Sequence, residues 1–316
     1  MKIVLLDVDT ITKGDLSLAP IEKLGDVTAF DLLPPSEVAA AIGDAQVVIC
    51  NKTEITAAVI DACPQLQMIG LFATGYNNID LAAAKARGIA VCNVPGYSTD
   101  AVAQHTLALM LSLAGSVGAY DRSVHAGDWV QSKHFAYFSY PLTELTGKTL
   151  GIFGFGAIGQ KVAAIGRALG MQILVSTRTP ARCPQETAVS MEELFRRADV
   201  LTFHCPLNSQ TKEIINRETL ALMKPTALLI NTARGGIMNE QDVADALCDG
   251  VIAGAGIDVL THEPMQADNP LLSAPHCLLT PHIAWAPSET RARLIERVAE
   301  NIRAFQNGAP IHCVQE

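Results

Sequence analysis

Aromatic residues are scarce in this chain: two tryptophans, five tyrosines and nine phenylalanines among 316 residues. Because 49% of the residues are nonetheless apolar, a large core can form, and the length points to two domains. Charge is also sparse, at 17% of residues, and the formal net charge is -9 with no basic run. That balance argues against nucleic acid or an anionic membrane as a partner. No apolar stretch approaches the roughly 20 residues that a bilayer-spanning helix needs. No secretory leader is expected either: Met1-Lys2-Ile3-Val4-Leu5-Leu6-Asp7 brings an acid in early and reads as a first strand. A cytoplasmic protein with reduced thiols is therefore expected. Of its eight cysteines, Cys50, Cys92, Cys205 and Cys277 lie in apolar strand-like runs. The pairs His204-Cys205, His276-Cys277 and His312-Cys313 look like metal ligands. Adjacent residues on a strand face opposite ways, so no metal site is expected.

What is present is alternation. Apolar runs at 3–8, 47–50, 68–72 and 89–94 are separated by helix-patterned segments at 35–42, 57–62 and 81–87. Asp80 is placed to cap the last of these helices and Gly88 to stop it. Residues 98–118 form a long Ala- and Leu-rich stretch, expected to be a buried helix between two domains. An irregular segment is expected over 121–140, where Trp129, Phe135, Tyr137, Phe138 and Tyr140 cluster. Its length and composition favour a subunit interface, hence a homodimer. A second alternation puts strands at 149–153, 173–176, 200–204, 227–231, 253–258 and 277–280. Helices are expected between them at 158–169, 191–197, 216–223 and 240–248. A last amphipathic helix, 287–306, is expected to pack back on the first domain. The expectation is two doubly wound parallel α/β domains with a cleft between them. Residues 1–98 with 287–316 would form a discontinuous substrate-binding domain, and 99–286 a dinucleotide-binding domain.

The strand at 149–153 runs directly into Gly154-Phe155-Gly156-Ala157-Ile158-Gly159 and then a helix. This is the order that a dinucleotide phosphate site requires. Gly154 permits the tight turn, Gly156 lets backbone N–H groups approach a pyrophosphate, and Gly159 allows close helix packing. The helix N-terminus turns partial positive charge toward the phosphates.

Three further motifs sit past strand ends, where open α/β sheets bind their ligands. Arg234, in Asn231-Thr232-Ala233-Arg234-Gly235-Gly236, could hold a carboxylate through its planar fork or make a surface salt bridge. Glu263 and His282, each at the carboxyl edge of the same sheet, suggest a proton-transfer pair with the carboxylate orienting the imidazole.

Taken in order, Gly154-x-Gly156-x-x-Gly159, Asn231-Thr-Ala-Arg234-Gly, Glu263-Pro264 and Pro281-His282-Ile283-Ala284 resemble the D-isomer-specific 2-hydroxyacid dehydrogenases. Ala73-Thr74-Gly75-Tyr76-Asn77-Asn78-Ile79-Asp80 and Val102-Ala103-Gln104-His105-Thr106 extend the likeness over essentially the whole chain. Within that family, Pro281-His-Ile-Ala-Trp285 and Ala267-Asp268-Asn269-Pro270-Leu271-Leu272 look most like glycerate dehydrogenases, also called hydroxypyruvate reductases.

The resemblance implies a Rossmann-type cofactor domain and a flavodoxin-like substrate domain. It implies that Arg234 binds the carboxylate and carbonyl of a 2-oxo acid, that His282 gives a proton to the developing alkoxide, and that Glu263 keeps His282 protonated. It places Asn51, Thr74 and Gly75 on the substrate. The cofactor would lie against the glycine loop, including Phe155, Ala157 and Ile158. It would also meet Thr106, Thr177, Arg178, His204, Cys205, Pro206, Thr232, Ala233, Asp258 and Ala284. Asp258 has a second role open to it, structuring the turn after its strand.

NAD sites of this kind usually carry an acid at the end of the second strand. Here Val175-Ser176-Thr177-Arg178-Thr179 carries none. Repulsion of a 2′-phosphate is thereby removed, and Arg178 could pair with it, assisted by Ser176 and Arg182. NADP is favoured over NAD. Hydroxypyruvate reduction to D-glycerate is the expected reaction. Reduction of glyoxylate or another 2-oxo acid is the near alternative, and a nucleotide-sensing, corepressor-like scaffold is the alternative from another class.

Overall fold

The computed structural model describes residues 1–179 and 186–314. The chain divides into two units, Met1–Ser98 with the segment from Ala286 onward, and Thr99–Trp285. Each is a parallel sheet covered by helices.

In the first unit the strands are β1 (Lys2–Leu5), β2 (Asp26–Ala29), β3 (Val47–Cys50), β4 (Met68–Leu71) and β5 (Ala90–Cys92). The helices between them are α1 (Ala19–Glu22), α2 (Val38–Ile42), α3 (Ala57–Ala62) and α4 (Leu81–Ala86). The strand order is β2-β1-β3-β4-β5, all parallel, the doubly wound order of flavodoxin-like sheets. Val4, Leu6, Val48, Cys50, Ile69, Leu71 and Val91 pack in one core with Ile42 and Ile60. Asp80 caps α4 through the Ala83 N–H at 3.0 Å, and Gly88 follows at φ 66°. β2 was not expected. It is an edge strand with largely exposed side chains, so its composition carries no apolar run.

The second unit opens with α5 (Thr99–Ala114), followed by α6 (Val117–His125) and α7 (Asp128–Gln131). Ser116, at φ 47°, breaks what the sequence presents as one helix over 98–118. The expected irregular segment is likewise corrected. Residues 121–125 belong to α6, although Ser123 and Val124 are weak helix formers, and 128–131 form α7, whereas 132–140 is irregular as expected. Next come β6 (Thr149–Phe153), α8 (Ala157–Ala168), β7 (Gln172–Ser176), β8 (Thr187–Ala188), α9 (Met191–Arg197) and β9 (Val200–Phe203). They are followed by α10 (Arg217–Leu220), β10 (Leu228–Asn231), α11 (Glu240–Cys248), β11 (Gly254–Ile257) and β12 (Cys277–Leu279). The order β12-β11-β10-β9-β6-β7-β8 is a Rossmann sheet extended by one strand. Strand residues alternate between two cores. Leu228 and Ile230 join Ile152 and Val175 on the face covered by α5 and α8, whereas Leu229 joins Leu201 and Phe203 on the other. The two-residue β8 is an exposed edge, and the sequence does not signal it.

Finally α12 (Ser288–Gln306) returns to the first unit. Its Asn301 side chain donates to the Asn93 carbonyl at 2.9 Å, and Arg291 pairs with Asp15 at 2.7 Å.

Candidate active site

Sheet order reverses between β6 and β9, and the glycine loop follows β6. Gly154 has φ 94°, and a Cβ there would sit 2.6 Å from the His204 carbonyl oxygen. Only glycine fits this turn beside the neighbouring strand end. A Cβ on Gly159 would lie 2.4 Å from the Gly154 oxygen, so the helix starts directly beneath the loop. At Gly156 the situation is opposite: a Cβ would meet nothing within 4 Å. Gly156 is also the N-cap of α8 and brings no side chain to the helix end. Among the described residues, no protein acceptor meets the N–H groups of Phe155, Gly156, Ala157 or Ile158. Four free donors, an open approach and a helix N-terminus suit a pyrophosphate.

The surrounding residues fit the same group. His204, at the end of β9, keeps a buried Nδ1 without a partner among the described residues, while its Nε2 lies 3.1 Å from Thr202 Oγ1. Burial pushes its pKa down to about 3, so the ring is neutral. Cys205 follows it; burial pushes the thiol up to about 11, against the pull of the Arg178 charge. Pro206 continues that loop and fixes it by accepting from Thr211 Oγ1 at 2.7 Å. Thr106 on α5 and Thr232 past β10 are buried and joined by their hydroxyls at 2.8 Å. Thr177 and Arg178 follow β7, with Arg178 exposed and without an ion pair among the described residues. Arg182 lies outside the described residues.

Strands β10, β11 and β12 end in register, Asn231 beside Ile257 and Ile257 beside Leu279. The loops leaving these three ends carry Arg234, Glu263 and His282. Asn231 is fully buried and folds the first loop: its Oδ1 accepts from the Ala233 N–H and its Nδ2 donates to the Arg234 carbonyl. The Arg234 side chain is exposed; its guanidinium donates to the Ala233 carbonyl and forms no ion pair among the described residues. The surface salt bridge left open by the sequence is therefore not made. Gly235 then presses against the second loop, where a Cβ would be 1.9 Å from the Leu260 carbonyl carbon.

In that second loop one oxygen of Glu263 accepts from the Leu260 N–H at 2.9 Å, and the other meets His282 Nδ1 at 2.7 Å. The bond to Nδ1 leaves Nε2 as the free face of the ring. Both side chains are about one-third exposed or less. His282 itself is left-handed at φ 54°, its N–H donating to the Asp258 and Thr280 carbonyls.

Asp258, buried at the end of β11, shapes this third loop. Its carboxylate accepts from Thr280 Oγ1 at 2.6 Å and from the N–H groups of Ile283 and Ala284 at 2.9 and 3.0 Å. Burial alone would raise its pKa, but hydrogen bonds from His105, Thr280, Ala284 and Ile283 outweigh it and hold the acid below its ordinary value.

Asn51 and Thr74-Gly75 belong to the first unit, past the carboxyl ends of β3 and β4. The Asn51 loop is organised by Asp7, a fully buried carboxylate. It accepts from the N–H groups of Asn51, Lys52 and Thr53 and from the Thr53 hydroxyl. Thr74 is tied by its hydroxyl to the Val94 carbonyl, and its own carbonyl accepts from Asn93 Nδ2. The N–H groups of Thr74 and Gly75 meet no acceptor among the described residues.

Sequence reasoning gave no role to four supporting residues: Asp7, Glu240, His105 and Thr280. Glu240 braces the Glu263 loop through the Thr261 N–H at 2.7 Å and Asn269 Nδ2. His105 Nε2 lies 2.9 Å from Thr280 Oγ1 and 3.4 Å from Asp258. Asp7 was legible as an acid closing an apolar run; the others carry no local signal of their partners.

Residues 107–284 match the family model described as D-isomer specific 2-hydroxyacid dehydrogenase, NAD binding domain. A hydroxypyruvate reductase from Blautia hydrogenotrophica is 41% identical over 322 residues, covering 100% of both chains. Among solved structures, a Thermus thermophilus protein superposes with a TM-score of 0.89 at 34% identity, covering 99% of this chain and 100% of that one. An NADPH-dependent glyoxylate/hydroxypyruvate reductase from Sinorhizobium meliloti, solved with NADP and malonate, gives a TM-score of 0.85 at 29% identity, covering 99% and 96%. Glycine loop, sheet order and whole-length similarity agree: the chain belongs to the D-isomer-specific 2-hydroxyacid dehydrogenases, a family of NAD(P)-dependent oxidoreductases.

Proposed function

We propose that the protein reduces hydroxypyruvate to D-glycerate with NADPH, with Arg234 and His282 as substrate-binding and catalytic residues and Glu263 as the partner of His282. One observation carries the reading. A guanidinium without an ion pair among the described residues, a carboxylate, and an imidazole that this carboxylate holds at 2.7 Å follow three consecutive, in-register strands of one sheet, β10, β11 and β12.

Arg234 pairs its fork with the substrate carboxylate and polarises the neighbouring carbonyl. Bound NADPH supplies the hydride to C2. His282 holds a proton at Nε2 and delivers it to the alkoxide oxygen as negative charge develops there. Glu263 fixes the ring through Nδ1, so that Nε2 is the nitrogen left for the proton transfer. In the oxidative direction the same nitrogen takes the hydroxyl proton. Asn51 and the Thr74 and Gly75 N–H groups are assigned to the remainder of the substrate.

The NADPH preference rests on Thr177-Arg178-Thr179, where no carboxylate opposes a 2′-phosphate and Arg178 is exposed and without an ion pair among the described residues. It is supported by the NADP-bound Sinorhizobium relative. We assign a homodimer to the surface formed by α6, α7 and residues 132–140.

The test is a panel of hydroxypyruvate, glyoxylate and larger 2-oxo acids, each run with NADPH and NADH at matched concentration. Highest kcat/KM for hydroxypyruvate with NADPH is expected. A higher value for glyoxylate moves the substrate assignment, and a higher value with NADH moves the cofactor assignment. Tight cofactor binding without turnover of any 2-oxo acid would favour a sensing scaffold.

A further inference from the structure

We propose that Cys92 and Cys313 are a reversible disulfide site, closed by a hydroperoxide, that cross-links the two chain segments of the first unit. Cys92 is the last residue of β5, the edge strand of its sheet. The segment beyond α12 runs antiparallel along that edge and sets Cys313 opposite Cys92. Asn93 N–H donates to the His312 carbonyl at 3.1 Å, and Val314 N–H donates to the Val91 carbonyl at 3.0 Å. Those two bonds flank the cysteines, so the pair occupies a non-hydrogen-bonded position. Facing Cα atoms at such positions are about 4.5 Å apart, within the range a disulfide spans. The two Sγ atoms are already 3.6 Å apart as thiols. Closing the bond takes side-chain rotation and no shift of the backbone.

The two thiols differ in the way a stepwise oxidation needs. Cys313 is exposed and Cys92 buried. Burial, with the neighbouring Cys313 adding to it, pushes Cys92 up to about 12. First attack therefore falls to Cys313. Its thiolate attacks hydrogen peroxide: an S–O bond forms, the O–O bond breaks, and the departing hydroxide takes up the thiol proton as water. Cys313 is then a sulfenic acid. The Cys92 sulfur attacks the Cys313 sulfur. An S–S bond forms, the S–O bond breaks, and the hydroxide leaves with the Cys92 proton as a second water. Each sulfur loses one electron and the peroxide gains two. A dithiol reductant reverses the change by exchange.

The cross-link would close a loop that contains the whole second unit, since the two cysteines are 221 positions apart. Long loops give disulfides their largest effect on the unfolded chain. The link would also lie beside Asn93, whose side chain donates to Thr74 and whose carbonyl accepts from Asn301.

The experiment uses the full chain, reduced and then treated with a small molar excess of hydrogen peroxide. Peptide mapping without reduction should find Cys92 linked to Cys313 with the loss of two hydrogens. The melting temperature should rise by several degrees and fall back with dithiothreitol. Cys313→Ser should abolish both changes while leaving the reduced protein's melting temperature unaltered. Cys92→Ala should send Cys313 on to sulfinic acid. Sulfinic acid at Cys313 of the unaltered protein, a link between two copies through Cys313, or no oxidation of either thiol would each overturn the proposal.

Discussion

His282 is held in a backbone conformation that costs a non-glycine residue about 1–2 kcal/mol, and Asp258 sustains it. The Asp258 carbonyl takes the His282 N–H, and its carboxylate takes the next two N–H groups. The imidazole is thus placed from two sides, by Asp258 through the backbone and by Glu263 through Nδ1. Replacing His282 by Ala should lower kcat by about 10²–10⁴-fold, the usual contribution of a positioned proton donor. Cofactor affinity, read by fluorescence titration, should change little. Near-normal turnover in that variant would remove the proposed mechanism. Arg234→Ala should act differently, raising KM for the 2-oxo acid at least tenfold, since a hydrogen bond to a charged group contributes roughly 1.5–3 kcal/mol. A change confined to cofactor affinity would exclude Arg234 as the carboxylate clamp.

At the scale of elements, the site depends on loops that touch each other more than on the strands that carry them. Gly235 is the clearest case, because any side chain there would collide with the Leu260 backbone. Gly235→Ala should therefore separate the Arg234 and Glu263 loops. It should destabilise the protein by about 1–3 kcal/mol, the cost of overpacking a tight contact. Turnover should fall by more than cofactor affinity does; urea denaturation and steady-state assays read the two effects. This level also marks how far the sequence could be read. β6, the glycine loop and α8 were legible because strand, turn and helix follow one another locally. Arg234, Glu263 and His282 were legible as residues past strand ends. The Gly235–Leu260 contact, the Glu240 brace and the His105–Thr280–Asp258 cluster were not, because each joins segments distant in sequence. Strands β2 and β8 escaped for a different reason, being exposed edges with no apolar run to reveal them.

For the whole molecule, the most exposed large apolar side chains fall in one segment, 130–138. Phe135 is 93% exposed, Phe138 81% and Val130 87%. Tyr120 anchors the segment beneath them, its hydroxyl donating to the Tyr140 carbonyl and accepting from the Tyr140 N–H. Apolar groups presented so openly on a pinned scaffold are what the proposed dimer would bury. Phe135→Glu with Phe138→Glu should convert the proposed dimer to monomer in sedimentation velocity; an unchanged sedimentation coefficient would place the interface elsewhere. The division of the chain has a consequence of its own for biosynthesis. The second unit is contiguous, whereas the first needs α12, which leaves the ribosome only after every residue of the second has been made. A nascent chain therefore carries its opening sheet without the cover of α12 through most of translation, and the apolar surface left bare is of the kind that invites misassembly.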